Sequence, residues 1–177
     1  DAGANYQSAD KLFSASLVLK NIGTQFKPYI PGNYEPLPFD IQLGFTQKLE
    51  HAPFRISVTL HHLNVWDMTY DKNANPAFTY VNNSQFNTDT YQFNFFDNAL
   101  RHAIFAMEFI PSKNFLVMAA YNHQRRKEMQ VATRPALVGF SWGFYLKVSK
   151  LRLSYGQSIY HLAGASGHFS VNLNLAD

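Results

Sequence analysis

Hydrophobic and polar residues alternate along most of this chain with a period of two. Phe39, Ile41, Leu43 and Phe45 fall on one side, and Asp40, Gln42, Gly44 and Thr46 on the other. After a break at 49–52, Phe54, Ile56, Val58 and Leu60 alternate with Arg55, Ser57, Thr59 and His61. This period marks β-strands, and two such runs across a short link predict a hairpin. The same rule continues elsewhere. Phe13, Ala15, Leu17 and Leu19 oppose Ser14, Ser16, Val18 and Lys20. Phe105, Met107 and Phe109 oppose Ile104, Ala106 and Glu108. Phe140, Trp142, Phe144, Leu146 and Val148 oppose Ser141, Gly143, Tyr145 and Lys147. Leu151, Leu153 and Tyr155 oppose Arg152, Ser154 and Gly156, and Phe169, Val171, Leu173 and Leu175 oppose Ser170, Asn172 and Asn174. The run 115–122 is the least regular, with Leu116 and Met118 on the polar side. No helical period appears.

Alternation leaves open whether the apolar face meets a protein core or lipid. The connections discriminate. Those at 7–11, 49–52, 111–114 and 149–150 are tight; those at 21–37, 64–101, 123–137 and 158–167 are long. Short and long links thus alternate, which in an antiparallel barrel collects the short turns at one rim and the long loops at the other. The mid-strand charges Lys20, Asp40, Arg55, Glu108, Lys147 and Arg152 all fall opposite the apolar face. A charge facing lipid near the bilayer midplane costs about 2–4 kcal/mol. The polar faces favour Ser, Gly, Asn and Gln, which suits a narrow lumen. Phe39, Phe54, Trp66, Phe109, Phe115, Phe140 and Phe169 lie near strand ends, where aromatic girdles form. The expected fold is all-β, an antiparallel transmembrane β-barrel, with residues 1–177 one portion of a single outer-membrane domain.

Composition agrees. Aromatics make up 16% of the 177 residues and charged residues 15%, against roughly 25% charged in soluble domains. No run approaches the ~18 apolar residues of a membrane helix, and mean hydropathy is −0.23. The net charge of +3 comes without the basic, aromatic-interleaved patch of a nucleic-acid site. With no cysteine, disulfide and thiolate chemistry is excluded. "DAGANYQ" already alternates at Asp1–Gln7, so the chain is expected to begin inside a strand and to be a portion of a longer polypeptide.

The stretches "KLFSASLVLKNIGTQFKPY", "EPLPFDIQLGFTQKLEHAPFRISVTLHHLNVWD", "YNHQRRKE" and "YHLAGASGHFSVNLN" resemble the FadL-like outer-membrane proteins of the Bacteroidetes type IX secretion system, the family of PorV and PorQ. "LVLKNIG" is shared broadly by PorV-like barrels, whereas "HHLNVWD" and "YHLAGASGHFS" resemble the PorQ branch more narrowly. The resemblance implies a barrel of about 14 strands, of which this chain supplies roughly the C-terminal eight or nine. It also implies a non-enzymatic anchor or scaffold in the attachment complex. The implied partners are a PorZ-like surface protein, PorU- and PorV-like components, outer-membrane lipid and lipopolysaccharide. The alternative is a FadL-like channel for hydrophobic small molecules.

Enzyme motifs are weak. "GFSWG" matches G-x-S-x-G, but a nucleophile elbow needs a strand-to-helix turn, and Phe140 and Trp142 continue a strand through Ser141. "SADK" at Ser8–Lys11 matches S-x-x-K without its companion motifs. No catalytic residue, cofactor or metal is expected. His61 and His62, adjacent on a strand, should point to opposite faces, His61 into the lumen and His62 to the outer interface. His161 and His168 flank an expected loop and could meet across it, with hydrogen bonding as their expected role. The aromatic, Asn-rich loop at 75–96 reads equally as a cap over the barrel mouth or a docking surface, with Tyr80, Phe86, Tyr91 and Phe93 as its docking residues. Arg125, Arg126 and Lys127 read either as a solvated charge run or as contacts to lipopolysaccharide phosphates, which Arg forks suit.

Overall fold

The computed structural model describes residues 1–30, 32–68, 94–129, 137–161 and 164–174, with no account of the His161 side chain. Nine strands form one sheet: β1 Ala2–Gln7, β2 Phe13–Lys20, β3 Asp40–Lys48, β4 Phe54–Leu60, β5 Ala103–Ser112, β6 Phe115–Asn122, β7 Phe140–Val148, β8 Leu151–His161 and β9 Gly164–Leu173. They lie in sequence order and every neighbouring pair is antiparallel. Among the described residues no helix is long and apolar enough to cross a membrane, which says nothing of strands.

The register converts the period-two pattern into two continuous faces. One row of paired residues runs Ala15, Phe45, Val58, Phe105, Tyr121, Phe140 across β2 to β7. The adjacent row, on the opposite face, runs Ser14, Thr46, Ser57, Ala106, Ala120, Ser141, Ser158, Ser166 across β2 to β9. A one-residue slip would exchange the faces of a whole strand, so the register itself keeps the two surfaces apart. The mid-strand charges fall on the polar face as cross-strand partners: Lys20 opposite Asp40, Arg55 opposite Glu108, Lys147 opposite Arg152. Arg55 and Glu108 form an ion pair.

Burial is the reverse of a soluble core. Among the described residues only Ala103 and Val138 are buried hydrophobics, while Asp40, His61, Asn98 and His102 are buried polar groups. On the apolar face Phe105 is 39% exposed, Met107 51% and Phe169 65%. On that face the Trp142 indole N–H donates to Gln157 Oε1 at 3.0 Å, so a polar side chain there is satisfied internally. Leu116 and Met118 do face the polar side, as the sequence suggested. Met118 sits against Gly143, where an added Cβ would lie 2.6 Å from the Tyr155 carbonyl oxygen; the long thioether occupies room that the glycine leaves.

Three expectations are corrected. Among the described residues two short helices lie between strands, α1 Phe95–Arg101 and α2 His123–Met129, so "HQRRKEM" is helical and not an irregular loop. The expected long connection at 158–167 does not form, because β8 and β9 extend until only residues 162–163 separate them. The small residues of "GASG" at 164–167 tolerate close pairing, and a register shift between Ile159 and His161 absorbs the irregularity. His161 and His168 therefore do not face each other across a loop: His161 is opposite Gly164 and His168 opposite Gly156. The remaining long connections, 21–39, 61–102 and 123–139, share one rim with the helices, and the turns at 8–12, 49–53, 113–114 and 149–150 share the other.

Gly139 sets how α2 approaches the sheet. Its φ is +89°, and a Cβ there would lie 2.7 Å from Asn122 O and 3.0 Å from Arg126 Cβ. Gly139→Ala is therefore expected to destabilise the protein by about 1–3 kcal/mol, measured as a fall in the denaturant midpoint. An unchanged midpoint would mean that α2 is not held against this position.

Candidate functional site

The polar groups that the chain buries gather at the rim of long connections. Asn94 begins α1, its side-chain oxygen accepting from the backbone N–H groups of Phe96 (3.0 Å) and Asp97 (3.3 Å). Such a cap satisfies donors that a helix start otherwise leaves unpaired. One helical turn separates Asp97 from Arg101, and Arg101 Nε donates to Asp97 Oδ2 at 2.9 Å. At α2, Asn122 Oδ1 accepts from Arg125 N–H at 2.9 Å.

Asp97 joins the two helices. Its Oδ1 accepts from His123 Nε2 at 2.9 Å and from Lys127 Nζ at 3.1 Å, both on α2. Tyr121 Oη lies 3.0 Å from His123 Nδ1. A neutral imidazole meets both contacts, donating from Nε2 to the carboxylate and accepting the tyrosine proton at Nδ1. Burial disfavours the Asp97 carboxylate, but hydrogen bonds from His123, Arg101 and Lys127 outweigh it and hold the group well below the ordinary carboxylate range. A Tyr–His–Asp chain resembles an acid–base relay. Here the carboxylate is shared among three donors from two helices, an arrangement suited to fastening the connections together.

A second cluster stands beside it. His61 and His62 are adjacent, yet their Nδ1 atoms lie 2.6 Å apart. The expectation that the rings point to opposite faces is thus corrected: β4 ends at Leu60, and His62 takes φ +55°, which swings its ring towards His61. The His62 N–H donates to Asp40 Oδ1 at 2.7 Å, and Gln42 holds the other carboxylate oxygen. His61 Nε2 is buried without a hydrogen-bond partner among the described residues. Its pKa is lowered, by burial first and by His62 next, with Asp40 opposing. Among the described residues no group of three or more His, Cys, Asp or Glu is placed to hold a metal ion.

The three basic side chains have different partners. The Arg125 guanidinium lies 4.2 Å over the Tyr160 ring and reaches Ser141 Oγ at 3.5 Å. Arg126 donates to Val138 O at 3.4 Å, and Lys127 serves Asp97. Ser141 is a strand residue between Ala120 and Ser158 on the polar face. Ser8 belongs to a turn, where its hydroxyl donates to Asp10. Tyr80, Phe86, Tyr91 and Phe93 lie outside the described residues. Sequence reading missed Asp97, Arg101 and His123. The available signal was Asn94 followed by an i,i+4 Asp–Arg pair, obscured by the aromatic run before it.

No protein-family model, curated protein or solved structure matches the chain.

Asp97→Asn is expected to cost about 1–3 kcal/mol, the range for losing hydrogen bonds to a charged group. Because the folded carboxylate titrates below its unfolded counterpart, its contribution is complete above roughly pH 4 and is lost as pH falls through the folded value. Wild-type and Asp97→Asn stabilities should therefore converge at low pH. A gap between them that stays constant from neutral pH to about pH 2 would remove Asp97 from the fastening role.

Proposed function

We propose that this chain is a large part of an outer-membrane β-barrel and serves as a non-enzymatic anchor for a surface assembly. The role matches that of the type IX secretion proteins whose motifs it resembles. The observation that carries the membrane reading is where the chain's own cover lies. Arg125 brings α2 onto Ser141 and Tyr160 of the polar face, while the apolar face has no second layer among the described residues. An apolar sheet face of this extent requires a partner phase, and lipid is the phase that fits a polar interior with solvated hydroxyls.

The topology supports the same reading. In a meander of nine antiparallel strands, β1 and β9 run in the same direction, so direct closure would pair them parallel. Antiparallel closure calls for an odd number of further strands. A barrel of about 14, as the resemblance implies, would add about five. The long-connection rim, with its fastened helices, would face outside and the short turns the periplasm. A channel reading draws on the small side chains of the Ser/Ala row and on the paired Gly143 and Gly156, since a Cβ built at Gly156 meets nothing within 4 Å. The hydroxyls of the row suit water better than a hydrophobic substrate, and the anchor reading is preferred.

Two outcomes follow. Leu43→Arg is expected to destabilise the inserted protein by about 2–4 kcal/mol if Leu43 lies near the midplane, and Gln42→Arg markedly less, as read by heat-modifiability on gels. Equal sensitivity at the two positions would contradict the lipid-facing assignment. For the anchor role, replacing residues 75–94 with a Gly/Ser linker should release the surface partner from washed cells while the barrel still inserts. The Ser141→Ala variant should retain the partner and its processing of cargo. Loss of activity in Ser141→Ala with the barrel intact would overturn the non-enzymatic assignment.

A further inference from the structure

The two rims of the sheet carry different charge. Every turn of the short-turn rim has a lysine in it or beside it: Lys11 at 8–12, Lys48 at 49–53, Lys113 at 113–114 and Lys150 at 149–150. Lys147 and Arg152 flank the last turn, and Arg55 follows the second. Against these cations stand Asp10, Glu50 and Glu108. At the other rim the described residues balance, since Lys20, Lys27, Arg101 and the α2 triplet are matched by six carboxylates from Asp1 to Glu128.

The short-turn cations are not neutralised from within. Lys48 lies directly opposite Arg55, and Lys147 directly opposite Arg152. Like charges directly opposite across a ladder repel. Glu108 is taken by Arg55, and Asp10 accepts from the Ser8 hydroxyl and the Leu12 N–H. Among the described residues Lys11, Lys48, Lys113, Lys147 and Arg152 make no ion pair. The rim therefore presents a positive field that draws anions from outside the chain.

The layout selects the kind of anion. The lysines are spread one to a turn from the β1–β2 turn to the β7–β8 turn, and do not converge on a pocket. Lys11, Lys48, Lys113 and Lys150 are exposed. On the apolar face just inside them lie phenylalanines: Phe13 two residues from Lys11, Phe54 paired with Phe109, and Phe115 two residues from Lys113. The Phe54 and Phe109 rings touch, 5.2 Å between centroids. Aromatic side chains gather at the membrane interface, and a lysine beyond them lays its stem on apolar surface while its ammonium reaches the headgroups. A collar of this shape suits many separate headgroups better than one multivalent ligand. We propose that the short-turn rim is a cationic collar that selects anionic phospholipid, its turn lysines holding the phosphodiesters of the adjoining leaflet. This rests on the lipid-facing reading above and adds which lipid is recognised and at which rim.

The test uses the full chain reconstituted in phosphatidylcholine bilayers with a trace of spin-labelled phosphatidylglycerol or spin-labelled phosphatidylcholine. Electron spin resonance measures how much of each labelled lipid is immobilised against the protein. At low salt phosphatidylglycerol should be preferred by about fivefold, the worth of one lysine near an anionic surface. The preference should vanish at about 1 M salt, where screening reaches down to about 3 Å. This salt titration needs no variant. The quadruple variant Lys11→Gln, Lys48→Gln, Lys113→Gln, Lys150→Gln should lose most of the preference, while its immobilised phosphatidylcholine stays at the wild-type level and shows that it remains inserted. Lys27→Gln, at the opposite rim, should keep the preference. Equal immobilisation of the two lipids by the wild-type chain would overturn the collar and leave the lipid-facing sheet standing. So would a preference that is unmoved by salt, survives the quadruple variant or disappears in Lys27→Gln. Immobilisation of neither lipid would overturn the lipid-facing reading itself, and the collar with it.

Discussion

The antiparallel register is the constraint on which the rest of this structure depends. Most of the nine strands alternate, but alternation by itself only gives each strand two sides. The pairing of Ala15 with Phe45, Phe45 with Val58, and so on through Phe140 joins the apolar sides into one surface. The Ser14-to-Ser166 row does the same for the polar side. Between neighbouring strands the backbone hydrogen bonds are satisfied strand to strand, while the outer edges of β1 and β9 have no partner strand among the described residues. Charges follow from the same arrangement. Arg55 and Glu108 meet because their strands pair in this register, and they meet on the polar face.

What the sheet does not supply is cohesion between the long connections, and there the chain uses polar contacts. Asp97 collects Arg101 from its own helix and His123 and Lys127 from the other. Asn98 and His102 secure the segment after β4. Among the described residues apolar burial contributes little at this rim, with Ala103 and Val138 the buried hydrophobics. Hydrogen-bonded networks of this kind fix one geometry when every member is satisfied. They also respond to protonation, which an apolar core does not.

The strands, their faces and the side chosen by each mid-strand charge were legible in the sequence, because period two is a local signal that burial enforces. The tight turns at 49–53, 113–114 and 149–150 were legible for the same reason. Three features were not. The helix at Phe95–Arg101 follows an aromatic run with no helical period, and its capping Asn94 looks like one more loop asparagine. Residues 158–167 read as a loop because Gly, Ala and Ser are poor strand formers, yet 158–161 continue β8 and 164–167 pair with it as the start of β9. His61 and His62 come together through a left-handed backbone at His62, which alternation cannot foresee. The site depends on contacts between 40, 61–66, 94–102 and 121–127, all distant in sequence, so its members showed as isolated polar residues.

The central claim is that one face of this sheet meets lipid and the other water. The absence of cysteine allows single nitroxide labels to be placed one at a time along β3, at residues 41 to 46, in bilayer-reconstituted protein. Collision rates with oxygen, which concentrates in the bilayer, and with a water-soluble nickel chelate then report each position's surroundings. Oxygen should dominate at 41, 43 and 45 and the chelate at 42, 44 and 46, alternating in step with the strand. Equal access of the chelate to both sets, or its preference for 43 and 45, would contradict the account.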